Sequence, residues 1–220
     1  MPLFQNTVVT RQLKTQNKTL ISEKWLAYKA HFFNPAIQEN IRNAKEEQYQ
    51  EGFLRDLFVT IFGYTLNPET NFNLTTELKN AKDSKKADGG IIIDGTVVGV
   101  IELKGTNTTD LAKVEPQAFG YKNNQQDCVY VITSNFEKLR FYIDNAIEHI
   151  EFNLFTLSEE AFQLLYVCIA FENIKNNLPK KLKEESLSQE ENITKQLYKD
   201  YSLFKRELFQ NLTQLNPQFE

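Results

Sequence analysis

Asp88, Glu102 and Lys104 are the residues whose types and spacing point to chemistry. They lie in the stretch KKADGGIIIDGTVVGVIELKGT, residues 85–106. In an extended strand residues i and i+2 share a face, so Glu102 and Lys104 project together while Leu103 turns toward a core. The apolar runs 91–93 and 97–101 flank Asp94-Gly95, a hairpin turn signal. Closing that hairpin carries Asp88 back toward the Glu102 end. Two carboxylates bind a hard divalent cation such as magnesium, with several waters retained. Such a cation polarises a phosphoryl oxygen, and an ammonium beside it neutralises the charge that develops. The expected reaction is hydrolysis of a phosphodiester. Taken alone, Glu-x-Lys at a strand end is also a common solvated ion pair of little energetic worth. The upstream acid, the apolar flanks and the helix that follows set this instance apart.

Composition bounds the class. A chain of 220 residues is long enough for one sizeable core with appended helices. No apolar run approaches membrane-spanning length, and MPLFQNTVVTRQLK at the N-terminus lacks the apolar core of a signal peptide. Cys128 and Cys168 both sit in apolar surroundings and read as buried free thiols of a cytoplasmic protein. His31 and His149 are far apart, which leaves little room for a His-rich zinc site or a histidine-based nuclease. The net charge of -4 argues against a stand-alone high-affinity DNA binder, but not against a cleavage domain that takes its DNA affinity from another module. Lys79, Lys82, Lys85 and Lys86 precede Asp88, where they can contact phosphates or form a solvated loop.

The elements that must position the trio follow from periodicity. Residues 19–32 have helical spacing, ended by Asn34-Pro35; a second helix is expected over 36–62, stopping at Gly63. A strand is expected over about 72–78, then the hairpin of 90–104. The next helix lies within 108–124, and Pro116 places its regular part from Glu115 onward. Gln117 and Tyr121 share one face of it. CVYVITS, 128–134, reads as a buried parallel strand, and 139–144 and 149–155 as further strands. Thr156 and Glu159 form a capping-box pattern opening a helix to about Asn176, with Leu178-Pro179 as its stop. Residues 180–192 read as a charged connector. Ser188 and Glu191 open a last helix to about Leu212, with Ile193, Leu197, Tyr201, Phe204, Leu208 and Leu212 spaced 4, 4, 3, 4, 4. That narrow seam is typical of helix pairing, on the same domain or on a partner. The order predicts an α/β core with a helical extension.

Residues 36–155 resemble the PD-(D/E)XK nuclease fold, a mixed central sheet flanked by helices. Asp88 matches the family's first acid, preceded here by Ala87 in place of proline, and Glu102-Leu103-Lys104 matches its (D/E)XK element. The helical segments 1–35 and 156–220 then read as N- and C-terminal extensions. Gln117-Ala-Phe-Gly-Tyr121 is similar to the QxxxY element of type I and type IIG restriction enzymes. The helix ending in IFGY, the VITSNFEKLRFY segment and the terminal helix are similar to the nuclease domain and helical connector of type IIG enzymes, which join cleavage to methylation.

The resemblance implies a magnesium-dependent endonuclease of a restriction-modification system, with Mn2+ able to substitute. Asp88, Glu102 and the Leu103 carbonyl would hold the metal, and Lys104 would sit beside the attacked phosphate. Gln117, Tyr121, Lys85 and Lys86 would contact double-stranded DNA. An acid from the first core helix often assists in this fold. Glu47 and Glu51 share a face and either is expected to approach, Glu47 favoured by the match around EEQ; Glu46 points elsewhere by about 100 degrees. No glycine-rich cofactor loop or NPPY-like element occurs in the sequence, so a methyltransferase or specificity partner is expected in cis or as a separate subunit, with a dimer on DNA one possible arrangement. Two other readings stay open: a catalytically idle nuclease-fold module that docks DNA or a partner, and a repair or junction nuclease.

Overall fold

The computed structural model describes residues 3–79 and 85–216. Helices α1 (Asn6–Thr15), α2 (Lys18–Phe32), α3 (Pro35–Asn43) and α4 (Glu46–Phe53) come first, and α4 runs on as π-helical turns over Leu54–Ile61. Strands β1 (Leu74–Lys79), β2 (Lys86–Ile93) and β3 (Thr96–Leu103) follow, then α5 (Glu115–Asn123) and strands β4 (Tyr130–Ser134), β5 (Lys138–Ile143) and β6 (His149–Asn153). Helices α6 (Glu159–Ile169), α7 (Phe171–Lys175) and α8 (Leu178–Leu215) complete the chain.

The six strands form one sheet in sequence order. Only β3 and β4 pair in parallel, with Glu102 opposite Thr133; the other neighbours are antiparallel. A parallel step needs a crossover connection, and α5 supplies it. The fold is therefore α/β, a mixed sheet flanked by helices. The β2–β3 turn is Asp94-Gly95, with φ of 49° and 79°, the positive pair that a two-residue hairpin demands.

Two apolar layers hold the sheet. The larger, on one face, runs from Leu3 to Leu182 and takes in Trp25, Tyr28, Phe53, Leu57, Ile101, Leu103, Ile132 and Phe162. The smaller lies under α5 and joins Val100, Val131 and Tyr142 to Ala118 and Tyr121. Adjacent residues of β3 thus divide between the two faces, Ile101 and Leu103 to one, Val100 to the other. Cys128 and Cys168 are buried free thiols. Among the described residues no helix is long and apolar enough to cross a membrane.

Several boundaries differ from the sequence expectation. The single helix over 36–62 is broken: Ala44 and Lys45 are extended, with ψ of 143° and 154°, so α4 starts afresh at Glu46. Asp88 lies inside β2, which begins at Lys86 rather than at residue 90. Ser158, not Thr156, caps α6, its side chain accepting from the Ala161 N–H at 3.2 Å. Pro179 starts a helix instead of stopping one: it occupies the first turn of α8, where its missing N–H costs nothing. The expected connector 180–192 is continuous α-helix, so Ser188 and Glu191 lie mid-helix and cap nothing. Helix α1 falls within the helical segment expected over 1–35, though periodicity gave it no bounds of its own; its one buried residue is Val8.

Candidate active site

Strand β3 delivers Glu102 and Lys104 to one end of the sheet. Glu102 is 1% exposed, and Leu103 turns into the main core. The pairing with β4 carries one residue past the strand: the Lys104 N–H donates to the Ser134 carbonyl at 2.8 Å, fixing the lysine backbone. The Lys104 ammonium lies 2.6 Å from Glu102 Oε1, donates to the Leu103 carbonyl at 2.9 Å, and stands 3.5 Å from Glu46 Oε1. Asp88 reaches across from β2. Its Oδ2 accepts from the Leu103 N–H at 2.7 Å and its Oδ1 from Gln50 Nε2 at 3.1 Å. Gly89, next to it, packs so closely that an added Cβ would lie 3.2 Å from Ile101.

The first turns of α4 close the site. Glu46 Oε2 accepts from the Gly105 N–H at 3.1 Å, and Gln50, one turn on, lies 3.4 Å from Glu46 Oε1. Glu46 and Gln50 continue the face of Phe53 and Leu57 back by helical steps. Burying that face in the core therefore aims the two polar side chains at the end of β3.

The electrostatics follow from burial. The Glu102 carboxyl is pushed up to about 7, chiefly by burial and next by the charge of Asp88, against the pull of Lys104. Burial also raises Asp88, opposed by its bond from Leu103 and by Lys104. For Lys104 burial works against the charge, yet its contacts with Glu102 and the neighbouring acids outweigh it and raise the ammonium above its usual value. At neutral pH Lys104 is thus charged, and Glu102 is poised between its two forms.

Glu102 Oε2 is buried without a hydrogen-bond partner. An orphaned carboxylate oxygen beside a second acid and a backbone carbonyl is what a hard cation would satisfy. Among the described residues no three His, Cys, Asp or Glu side chains group as metal ligands. Asp88, Glu102 and the Leu103 carbonyl are the oxygens that could hold such a cation, with its remaining positions left to water.

The other expected residues lie elsewhere. Glu47 is exposed, and Glu51 pairs with Arg55 at 2.9 Å; the helix acid at the site is Glu46, which the expectation had turned away. The difference is one of helical phase: counted back from the buried Phe53 and Leu57, the inward face reaches Gln50 and Glu46, while Glu47 falls about 100 degrees off it. On α5 Gln117 is exposed and donates to Tyr121 Oη at 3.1 Å; neither hydrogen-bonds the trio. Lys85 is exposed ahead of β2, and Lys86 pairs with Glu77 at 2.7 Å. Lys82 lies outside the described residues. His31 stands 3.1 Å from Asp56, away from the acids of the site.

Sequence reasoning also missed what anchors α5. Glu115 Oε1 accepts from Arg140 Nη1 at 2.8 Å and from Tyr142 Oη at 2.7 Å, joining the first turn of the helix to β5. Alternation along LRFYID puts Arg140 and Tyr142 on one face, a signal readable in the sequence. No family model, curated protein or solved structure matches the chain.

Proposed function

We propose that the chain is a divalent-metal-dependent endonuclease of the PD-(D/E)XK kind that hydrolyses double-stranded DNA, as the cleavage part of a restriction-modification system with type IIG-like organisation. The observation that carries this reading is the meeting of Asp88, Glu102 and Lys104 around an unpartnered carboxylate oxygen. The element order supports it too: helix, three antiparallel strands, crossover helix, parallel strand.

Asp88, Glu102 and the Leu103 carbonyl would hold Mg2+, or Mn2+ in its place. When bound, the cation supplies Lewis-acid polarisation of a phosphoryl oxygen and neutralises charge. A cation held by the unpartnered Glu102 Oε2 would leave Oε1 to Lys104, whose ammonium beside the site would stabilise the negative charge that grows on the attacked phosphate. Gln50 would hold Asp88, and Glu46 would hold Lys104 and the Gly105 N–H. Gln117 and Tyr121, with Lys85 and Lys86, would bind the DNA backbone, and a methyltransferase or specificity partner would read the target.

The test is cleavage of supercoiled plasmid by micromolar protein with Mg2+ or Mn2+. Nicked and linear products are expected, abolished by chelator and reduced about 100-fold or more in Glu102→Ala and Lys104→Ala. Equal cutting by wild type and both variants sinks the assignment. The near-complete burial of Glu102 favours a second reading, an idle docking module of the same fold. That reading predicts DNA or partner binding with no cutting under either metal.

A further inference from the structure

Helix α8 is anchored only at its beginning. Leu182, Lys183 and Ser186 are buried, with Lys183 Nζ donating to the Ile143 carbonyl at 2.8 Å and Ser186 Oγ accepting from the Gln5 N–H at 2.9 Å. From residue 191 to 212 every position is exposed. Twenty-two residues of α-helix are about 33 Å long, so a rod of that length stands clear of the described body.

The rod is not polar all round. The seam from Ile193 to Leu212 is 45–66% exposed, and Leu215 prolongs it at 78%. With Leu215 its steps are 4, 4, 3, 4, 4, 3, so Ile193 to Phe204 and Phe204 to Leu215 are each one 11-residue repeat. Such a repeat, 3.67 residues per turn, keeps an apolar stripe nearly straight along a helix and suits a shallow right-handed supercoil. Large apolar side chains in so regular a line at this exposure mark a binding surface rather than scattered surface residues.

The charges say what covers it. At about 100 degrees per residue, Asp200 and Glu207 border one edge of the stripe and Lys205 borders the other. Lys195, Lys199 and Arg206 fall on the far side, and Lys195 is already paired with Glu191 at 3.6 Å. In a parallel pair of helices opposite edges meet, and a flanking residue faces the one five positions later on its partner. Asp200 of one copy then meets Lys205 of the other, twice by symmetry. In an antiparallel pair like edges meet, setting Asp200 and Glu207 against their own kind.

We infer that residues 193–215 of α8 pair with the same segment of a second copy of this chain, parallel and in register, into a two-stranded coil. The pairing buries the stripe from Ile193 to Leu215 between the copies and leaves the face with Lys195, Lys199 and Arg206 in solvent. It is independent of the reading of the Asp88–Glu102–Lys104 site. Two copies joined this way each present one such site.

Sedimentation equilibrium on the full 220-residue chain at micromolar concentration tests the inference. A mass twice that of one chain is expected. Leu197→Lys combined with Phe204→Lys should return it to a single-chain mass with unchanged helical circular dichroism. Orientation is read separately: Phe204→Cys should cross-link the copies on oxidation, because a parallel in-register pair brings residue 204 against itself. Asp200→Lys should weaken the dimer at least tenfold, and Asp200→Lys with Lys205→Asp should restore it. A single-chain mass for wild type overturns the proposal, as does a dimer indifferent to the lysine substitutions. Failure of Phe204→Cys to cross-link within a proven dimer overturns the parallel register, and single-chain protein that binds anionic vesicles through this helix assigns the stripe to a membrane surface instead.

Discussion

The carboxylate of Asp88 accepts a hydrogen bond from the backbone N–H of Leu103 at 2.7 Å, tying β2 to the end of β3 at the residue between Glu102 and Lys104. One side chain is therefore both an acid of the site and a clasp on the strand that carries the other two groups. The roles separate by substitution. Asp88→Asn keeps an acceptor for the N–H and loses the charge; Asp88→Ala loses both. Both variants should lose cleavage. Urea denaturation should show Asp88→Ala less stable than Asp88→Asn by about 1–3 kcal/mol, the cost of leaving a buried N–H unpaired.

Glu102 carries its proton to a higher pH in the folded chain than in the unfolded one, from an ordinary 4.5 up to about 7. Between those values the folded state binds more protons, so this group makes stability fall as pH rises through the window, with its full contribution present only below it. Asp88 shifts the same way and adds to the trend. Wild type in chelator should therefore lose more stability from pH 5 to pH 8 than Glu102→Gln does, measured by denaturation midpoints at both pH values. Parallel lines for the two proteins would show that Glu102 ionises normally.

Among the three acids of α4, Glu46, Glu47 and Glu51, only Glu46 contacts the site, through Lys104 and the Gly105 N–H. Glu46→Ala should lower cleavage about tenfold or more, because it frees the Gly105 segment and removes a counter-charge from Lys104. Glu47→Ala and Glu51→Ala should stay within about twofold of wild type, since one is exposed and the other meets only Arg55, a surface pair of small energetic worth. Kinetics of the three variants on one plasmid substrate distinguish them.

Glu115 binds Arg140 and Tyr142 at once, and both partners face α5 from β5. Glu115→Ala strands the Tyr142 hydroxyl and one side of Arg140, which keeps Glu151 at 2.6 Å. A loss of about 2–4 kcal/mol is expected in urea denaturation, with Glu115→Gln recovering part of it as a remaining acceptor. If α5 positions DNA, Glu115→Gln should raise the apparent KM for DNA more than it lowers kcat.

Much of this was legible from local chemistry. The Asp94-Gly95 turn fixed the hairpin because few other pairs tolerate positive φ at both positions. Pro116 located the start of α5, and the unbroken apolar run ending at Ser134 marked the parallel strand. The misses were long-range. Nothing in the QENIR-type helical periodicity around residues 36–62 announces that Ala44 and Lys45 will be extended; the place of Glu46, by contrast, was legible by counting turns back from Phe53 and Leu57, and the match around EEQ had drawn the choice to Glu47 instead. Leu178-Pro179 was ambiguous in kind, since proline both ends helices and opens them, and only the buried Leu182 beyond it shows which.

The lysine ammonium that sits among Glu102 Oε1, the Leu103 carbonyl and Glu46 has a consequence for how the protein is made. It serves as a built-in counter-ion for an acid pair that would otherwise repel itself while the chain folds. If the site takes a divalent cation as proposed, folding should not wait on it: a chelator should stop cleavage while leaving the melting temperature nearly untouched, unlike zinc-dependent modules that collapse when stripped.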